Sequence, residues 1–353
     1  MTVPPPLYIL SAAQISLQAP LTEDWTEWPR RAAGAYARAW DPRFKVLLRP
    51  AEARRMSLIL KRAAAVSDRA LHAAGLACPD AVVTGTGWGC VESTEQFLQA
   101  LCLQGERLLS PTHFMQSTHN TIGSLMAIRT RCHGYNVTFS HRATSFDCAL
   151  HDAALLLRGG RATSALVGGH DEVTPDYYTL LRRMGYVGHP GQCPCSETSV
   201  ALVLSTTTRG GALCRLSAWR QRHRPTPDEW ATTVGEMLEQ QDLTPDRVGL
   251  LVTGHNGFAP NDRPYDRLAA TLFPRTPQFR YKWLFGENYS ASAAAVYAAA
   301  HLLHRGCLPR ALGGNACGAA PLRSVLVLNH AESSDFSCFL LQPAAADSPG
   351  PSR

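Results

Sequence analysis

The sequence predicts an α/β fold made of two similar halves. Short runs of apolar and β-branched residues alternate with segments of helical periodicity along most of the chain, as in strands packed between helices. The apolar run Val82-Val-Thr-Gly-Thr-Gly ends in a glycine turn, and Leu250-Leu-Val-Thr-Gly-His-Asn-Gly repeats the pattern. A pattern that recurs in this way indicates an internal duplication.

In the first half, strands and helices alternate after an initial strand. Each predicted strand is a short apolar run, and the second predicted helix is rich in Ala and Leu. The strands are predicted at 7–11, 82–87, 136–140, 165–169 and 200–205, and the helices at 118–131 and 146–158.

The second half repeats this arrangement in fewer residues. A helix is predicted to begin near Thr226, because proline and acidic residues follow it in the first turn. Strands are predicted at 214–219, 250–253, 324–329 and 337–341, and a helix of small residues at 289–303. The predicted units are 1–207 and 208–342, and the tail rich in Ala, Pro and Ser at 343–353 is expected to be disordered.

Composition narrows the class of protein. Of the 353 residues, 45% are hydrophobic and 18% charged, which excludes a disordered chain. The net charge of +6 is interpreted as scattered, and no basic and aromatic stretch predicts a nucleic-acid groove. The excess is consistent with an acidic protein partner. The N-terminus has neither a basic region nor a long apolar run, so we expect a cytoplasmic protein without a membrane span.

The eleven cysteines do not predict a metal site or a disulfide framework. Most lie in apolar surroundings, their number is odd, and the chain is too long to need disulfide staples. Cys193 and Cys195 are the only close pair, and no second pair stands at metal-ligand spacing. We therefore expect reduced thiols and no bound metal.

Six segments resemble, in family order, the β-ketoacyl-ACP synthases of fatty-acid and polyketide assembly. The resemblance implies a thiolase-like fold, in which two duplicated halves form αβαβα layers. The segments are VVTGTGWGCVESTEQF, FMQSTHNTIGSLMAIRTRCHGYNVTFS, ALHDAALLLRGGRATSALVGGHDE, CSETSVALVL, GHNGFAPND and YKWLFGENYSASAAAV.

The resemblance also implies where a nucleophile would stand. In that family a cysteine at the N-terminus of a buried helix attacks an acyl thioester, and the helix dipole favours its thiolate. Counting from Gly134 and counting back from Gly168 both give Ala143, which has no nucleophilic group. Ser145 and Cys148 lie close by and remain alternative nucleophiles.

The residues around this position have a structural interpretation as well. Thr144 and Asp147 have the spacing of a helix capping box, in which Thr144 caps the helix and Asp147 bonds back to its backbone. This arrangement needs no catalytic role.

The rest of the family's catalytic set is incomplete. His255 matches the first family histidine, and it suits catalysis and a structural hydrogen bond equally. Lys282 matches the family lysine, but Glu287 stands where the second histidine belongs, which predicts a Lys282–Glu287 ion pair. The segment that starts at Asn329 replaces the family's glycine-rich oxyanion loop, and His330 within it is interpreted as a surface residue.

The missing groups resemble those of chain-length factors, which pair with an active ketosynthase and shape its acyl tunnel. The resemblance then implies a heterodimer with a catalytic ketosynthase, in a polyketide or aryl-polyene pathway. It also implies a substrate carried on the phosphopantetheine of acyl carrier protein, and no tightly bound cofactor. The alternatives are an active condensing enzyme or acyltransferase that uses Ser145 or Cys148 with His255, and a scaffold that binds acyl carrier protein.

Overall fold

A computed structural model describes residues 5–105, 109–314, 321–331 and 335–344. Most of the tail predicted at 343–353 lies outside these residues. The strands are β1 (Tyr8–Ile15), β2 (Tyr36–Ala37), β3 (Ala81–Gly85), β4 (Tyr135–Phe139), β5 (Ser164–Asp171), β6 (Cys195–Ser196), β7 (Thr198–Ser205), β8 (Cys214–His223), β9 (Leu250–Thr253), β10 (Gln278–Arg280), β11 (Val325–Ala331) and β12 (Asp335–Gln342).

The helices lie between these strands and vary from one turn to more than four. They are α1 (Phe44–Leu47), α2 (Pro50–Ala53), α3 (Leu58–Ala73), α4 (Val91–Gln104), α5 (Pro111–Gln116), α6 (Thr121–Thr130), α7 (Ser145–Arg158), α8 (Pro175–Arg183), α9 (Pro227–Glu239), α10 (Ala259–Leu272), α11 (Lys282–Phe285) and α12 (Ala291–Arg305).

Ten strands form one sheet whose two halves have the same order. The first half runs β4-β3-β5-β7-β1 and the second runs β10-β9-β11-β12-β8. In each half the first three strands of this order are parallel and the last two are antiparallel to their neighbours. The halves join where β1 pairs with β8 through Tyr8–Arg215 and Ile9–Cys214. The predicted duplicated α/β architecture is confirmed. The predicted boundary at 207/208 lies between β7 and β8.

The helices and sheet halves form five layers, and three of the four hydrophobic cores of the described residues lie between these layers. Helices α7 and α12 lie in the middle and pack against the inner faces of both halves. Helices α3 and α6 cover the outer face of the first half, and α9 and α10 cover that of the second half. Because both faces of each half are covered, neighbouring residues such as Val82 and Val83 are both buried, which explains the continuous apolar runs.

The two central helices begin in the same way. Thr144 precedes α7 with φ −109° and ψ 12°, and Ser290 precedes α12 with φ −108° and ψ 14°. Helix α7 approaches the end of β3 so closely that a Cβ atom on Gly85 would lie 2.5 Å from the backbone nitrogen of Phe146. This contact fixes the start of α7 at the carboxyl end of β3.

The cysteines depart from expectation at one position. Free thiols are found at Cys78, Cys90, Cys102, Cys132, Cys148, Cys193, Cys195, Cys214 and Cys338. Cys307 is disulfide-bonded, so the expectation of reduced thiols is wrong there. Pairing requires two Cα atoms within about 7 Å, and sequence spacing does not report that distance.

Candidate functional site

The two central helices begin beside a cavity of about 330 Å³, which we call the central cavity. Its wall comes from the segments before α7 and α12, the loops after β3 and β9, helices α10 and α11, strand β11 and the segment after α8. The lining residues are Trp88, Ala143, Gly185, Tyr186, Val187, Gln192, Asn256, Phe258, Pro260, Asn261, Lys282, Glu287, Asn288, Tyr289 and His330. A concave pocket with an apolar wall and a few convergent polar groups is the usual form of a ligand site.

The position that the resemblance assigns to the nucleophile is in this wall. The methyl side chain of Ala143 lines the cavity, and its carbonyl oxygen accepts a hydrogen bond of 2.8 Å from Asn329 Nδ2. The preceding residue, Arg142, has φ +48°, a conformation that non-glycine residues rarely adopt. The backbone therefore forms a tight turn at the start of α7, which the hydrogen bond from Asn329 fixes in place. Ala143, the residue at the tip of this turn, has no reactive group.

Ser145 is occupied in holding this turn. Its hydroxyl donates to the carbonyl of Arg142 at 2.6 Å and accepts from the backbone N–H of His141 at 2.8 Å. The side chain is fully buried and does not line the central cavity. Its proton is committed within its own turn.

Cys148 opens onto a different cavity, of about 380 Å³, together with His141, His223 and Asp335. Burial raises the pKa of its thiol to about 11, so the thiol is protonated at neutral pH. Its Sγ accepts a 3.8 Å hydrogen bond from Gln221 Nε2. The structure brings neither Ser145 nor Cys148 to the central cavity.

The predicted capping box is wrong. The Thr144 hydroxyl donates to the carbonyl of His141 at 3.0 Å and makes no cap bond to α7. Asp147 points into the core, and burial raises the pKa of its carboxyl to about 6. It accepts hydrogen bonds of 2.8 to 2.9 Å from three buried donors on α12, β11 and β12, which are Ser292, Asn329 and Ser337. Asp147 therefore links the two halves, because its carboxyl group accepts hydrogen bonds from side chains of the second half and not from the backbone N–H of Thr144.

At the second predicted position, Asn256 and not His255 faces the central cavity. His255 is 1% exposed, its Nε2 donates to Asp266 Oδ1 at 3.1 Å, and its Nδ1 accepts from the Thr253 hydroxyl at 2.8 Å. Burial lowers the pKa of His255, so the ring is neutral. The Asn256 amide lines the cavity and donates to Glu287 Oε2 at 2.7 Å. Gly257, the next residue, has φ +89°. A glycine at this position was the sequence signal for a turn, because glycine adopts positive φ without strain.

The predicted Lys282–Glu287 ion pair is confirmed. Lys282 Nζ lies 2.9 Å from Glu287 Oε1 and 3.0 Å from Oε2, and both residues are buried. The glutamate backbone is fixed to the segment around β6, because its N–H donates to Pro194 O at 2.8 Å and its carbonyl accepts from Ser196 N at 3.0 Å. The pair and Asn256 form one closed polar network on the cavity wall.

His330 is not a surface residue, so that interpretation is wrong. It is 1% exposed, it lines the central cavity, and its Nε2 donates to the carbonyl of Asn261 at 2.8 Å. Burial lowers its pKa to about 4, which keeps the ring neutral at physiological pH. Pairing of β11 with both β9 and β12 carries this residue inside.

The aromatic wall of the cavity was missed by sequence reasoning. Trp88 and Tyr289 lie with ring centroids 5.3 Å apart. Buried Asp171 positions Trp88, since it accepts hydrogen bonds from the Thr86 hydroxyl and the backbone N–H groups of Gly87 and Trp88 at 2.8 to 3.0 Å. An acidic residue at the end of a buried strand, beside a glycine turn, was the signal for this arrangement.

Two other features are absent from the described ranges. Within them, no group of three or more His, Cys, Asp and Glu side chains is arranged to hold a metal ion. No helix among the same residues is both long and apolar enough to cross a membrane.

A match to one protein-family model covers most of the first half of the chain and part of the second. Residues 25–245, more than half of the chain, match the family model described as β-ketoacyl synthase, N-terminal domain. The chain belongs to the β-ketoacyl synthase family. No curated protein is detectably similar to it in sequence.

Solved structures of β-ketoacyl synthases share the fold at low identity. The ishigamide ketosynthase/chain length factor superposes with a TM-score of 0.80 at 16% identity, over 97% of this chain and 100% of that one. The ketosynthase ApeO in complex with its chain length factor ApeC, from Xenorhabdus doucetiae, gives 0.75 at 17%, over 98% and 100%. A type II PKS acyl-carrier protein in complex with its ketosynthase, bound to the hexaketide, gives 0.78 at 12%, over 96% and 99%.

Proposed function

We propose that this chain is a non-catalytic ketosynthase-like subunit, a chain-length factor, which pairs with an active β-ketoacyl-ACP synthase. The observation that carries the proposal is Ala143 at the tip of the held turn before α7, where the family nucleophile would stand. Among the described residues that line the central cavity there is no cysteine, serine or threonine, because Ser145 and Cys148 point elsewhere. The chain retains the scaffold of a ketosynthase without the group that would form an acyl thioester.

The polar groups of the central cavity support the same proposal. Condensation in the family needs donors that stabilise a developing enolate. Here Glu287 is a carboxylate, which only accepts hydrogen bonds, and its charge is already matched by Lys282. Asn256 is held by the same carboxylate, so its amide is committed as well. Lys282, Glu287 and Asn256 thus bond to one another, so none of these three described residues is free to act as an acid or a base.

The partners follow from the relatives. Two similar structures are named as a ketosynthase with a chain length factor, and a third as a ketosynthase with its acyl-carrier protein. We therefore infer a heterodimer with a catalytic ketosynthase, and a substrate that arrives on the phosphopantetheine arm of acyl carrier protein. The chain would shape the acyl tunnel of its partner in a polyketide or aryl-polyene type pathway. A cytoplasmic location remains a prediction.

The first test is acylation. The purified chain and an active ketosynthase, as the positive control, are incubated with acyl- and malonyl-ACP, and their masses are measured. We expect an adduct on the control and none on this chain. A covalent acyl group on Ser145 or Cys148 would support the alternative, an active condensing enzyme or acyltransferase that works with His255.

The second test is assembly. The chain is co-expressed with a candidate ketosynthase partner from the same source, and a tag on one protein is used to purify both. We expect a stable one-to-one complex. If the two proteins separate while acyl carrier protein remains bound to this chain, the scaffold alternative replaces the subunit proposal.

The third test separates shaping from catalysis. In the reconstituted complex, Glu287→Gln and Asn256→Ala should change product length or complex stability while condensation continues. His255→Gln, outside the cavity, is the matched control and should change stability alone. Loss of condensation with an intact heterodimer would contradict the non-catalytic assignment.

A further inference from the structure

A second concave surface lies along the outer edge of β10, at the end of the sheet opposite to β4. This groove of about 410 Å³ is lined by residues that include Pro29, Arg31, Arg280, Trp283 and Leu312. None of the described residues that line it is acidic. The groove therefore combines arginine side chains with apolar groups, and no carboxylate among its described lining residues balances the arginine charges.

The cationic and aromatic character continues next to the groove. The guanidinium of Arg30 lies 4.4 Å from the ring centroid of Trp40, a cation–π contact. Gln18 Nε2 donates to the carbonyls of Arg30 and of Leu284, a groove residue, at 2.9 and 2.5 Å, so the two regions are tied together. We call Arg30, Arg31, Trp40, Arg280 and Trp283 the Trp–Arg surface. Trp40 is 46% and Trp283 is 39% exposed.

The segment that contributes Arg30, Arg31 and Trp40 to this surface also holds the charge excess of the chain. Residues 28–55 contain eight basic and two acidic residues, an excess of six that equals the +6 of the whole chain. The expectation of a scattered excess is wrong. The two acidic residues are engaged inward, because Asp41 accepts from Arg62 at 2.6 Å and Glu52 pairs with Arg129. The segment itself therefore carries a net positive charge, and two of its arginines also lie near carboxylates, Arg38 at 3.7 Å from Glu197 and Arg49 at 3.6 Å from Glu52.

Helix α11 links the Trp–Arg surface to the central cavity. Lys282 lines the cavity, and the next residue, Trp283, lines the groove. A Cβ atom on Gly257 would lie 3.0 Å from the Trp283 ring, and Asn256 and Phe258 on either side of Gly257 line the cavity. A partner on the groove would therefore sit beside the wall of the central cavity.

We propose that the Trp–Arg surface docks a protein that presents carboxylates around a small apolar side chain. The inference rests on the proposed function, in which this partner is the acyl carrier protein. Arginine forks match carboxylates in a bidentate geometry, and the half-exposed Trp283 supplies an apolar contact in a concave site, which suits an inserted side chain. Strands β10 and β4 are the two opposite edges of the sheet, so a partner bound at β10 would not cover the β4 edge.

The test measures binding of phosphopantetheinylated acyl carrier protein to the complex of this chain with its ketosynthase, by titration calorimetry at low and high salt. The variant Arg31→Glu/Arg280→Glu reverses two groove charges. The control Arg161→Glu/Arg247→Glu changes the net charge equally at exposed arginines that do not line the groove. A second variant, Trp283→Ala, removes the apolar contact without changing charge.

We expect the groove variant to weaken binding about tenfold at low salt and to lose most of its salt dependence, since exposed charges act through a screened field. Trp283→Ala should weaken binding at both salt concentrations, and the control should bind like the parent.

Equal affinity of groove variant and control, with the ketosynthase still bound, would overturn the docking site and leave the proposed function intact. Groove-dependent binding to phosphatidylglycerol vesicles, with carrier binding unaffected, would also overturn it and identify a membrane surface. Failure to pair with the ketosynthase refutes the proposed function separately, and carrier binding is then measured on the chain alone.

Discussion

Lys282 Nζ lies 2.9 Å from Glu287 Oε1 inside the protein, and the two charges neutralise each other on the wall of the central cavity. Asn256 Nδ2 completes the network at 2.7 Å from Oε2. A buried charge is tolerated when a partner of opposite charge and further hydrogen bonds accompany it. The Lys282–Glu287 pair therefore contributes to the stability of the site only while both residues are present.

Removing one member of this pair should be costly. Lys282→Met leaves the Glu287 carboxylate buried without its cation, and we expect the free energy of unfolding to fall by about 3 kcal/mol. The double variant Lys282→Met/Glu287→Gln should recover a large part of that loss, because no unpaired charge remains. Urea titrations measure both. Equal destabilisation by the single and double variants would show that the charge is not the cause.

Two glycines should respond in opposite ways to alanine. Gly85→Ala places a Cβ atom 2.5 Å from the Phe146 backbone nitrogen, so β3 and α7 must separate, and we expect a loss of about 3 kcal/mol or failure to fold. Gly235 lies within α9 with no atom within 4 Å of its Cβ position, so Gly235→Ala should stabilise by about 1 kcal/mol. Thermal and urea unfolding compare them. A neutral Gly85→Ala would mean that the strand and helix do not touch there.

Glu172 should make stability fall as pH rises. Burial raises the pKa of its carboxyl from 4.5 to about 8, so between these values the folded state holds more protons than the unfolded state. In Glu172→Gln the amide oxygen still accepts from Glu92 N, as the carboxyl oxygen Oε1 does at 3.0 Å. The advantage of this variant over the parent should therefore grow from about pH 5 to about pH 8. Unfolding titrations across this range test it, and a constant difference would contradict it.

Asp80 provides the comparison of opposite sign. Hydrogen bonds from the Thr163 side chain and its neighbours lower the pKa of Asp80 below 3.8. Its stabilisation is therefore present above that unfolded value and is lost as pH falls through the folded pKa. Asp80→Asn should be less stable than the parent at neutral pH and similar to it in acid. The same titrations, extended to lower pH, show whether the two variants diverge as expected.

Thiol reactivity should follow burial. Cys78 and Cys102 are exposed, whereas burial raises the pKa of the Cys148 thiol to about 11 and that of Cys193 well above its usual value. Brief treatment of the native protein with iodoacetamide near pH 7.5 should therefore modify Cys78 and Cys102 first, as read by peptide mass spectrometry. Protein unfolded in urea is the control and should react at the buried free thiols too. Rapid native alkylation of Cys148 would reopen its role as a nucleophile.

Much of the fold is encoded in local patterns. The helix predicted at 146–158 is found at Ser145–Arg158, and the strand predicted at 250–253 is found at Leu250–Thr253. Periodicity identifies such elements because each buries its apolar residues on a particular face. Helix α3, Leu58–Ala73, was not predicted, although Ile59, Ala63, Val66 and Ala70 follow helical spacing toward the core.

The sequence by itself determined the family, the duplicated α/β order, the alanine at position 143 and the Lys282–Glu287 pair, because each depends on residue identity and spacing along the chain. Only the tertiary structure decided which neighbour faces the cavity. Asn256 rather than His255 does so, His330 is buried, and Asp147 bonds across to the second half. The direction of a side chain at a strand end or in a turn depends on how the halves pack and on the donors that distant elements bring, and a linear pattern does not contain that information.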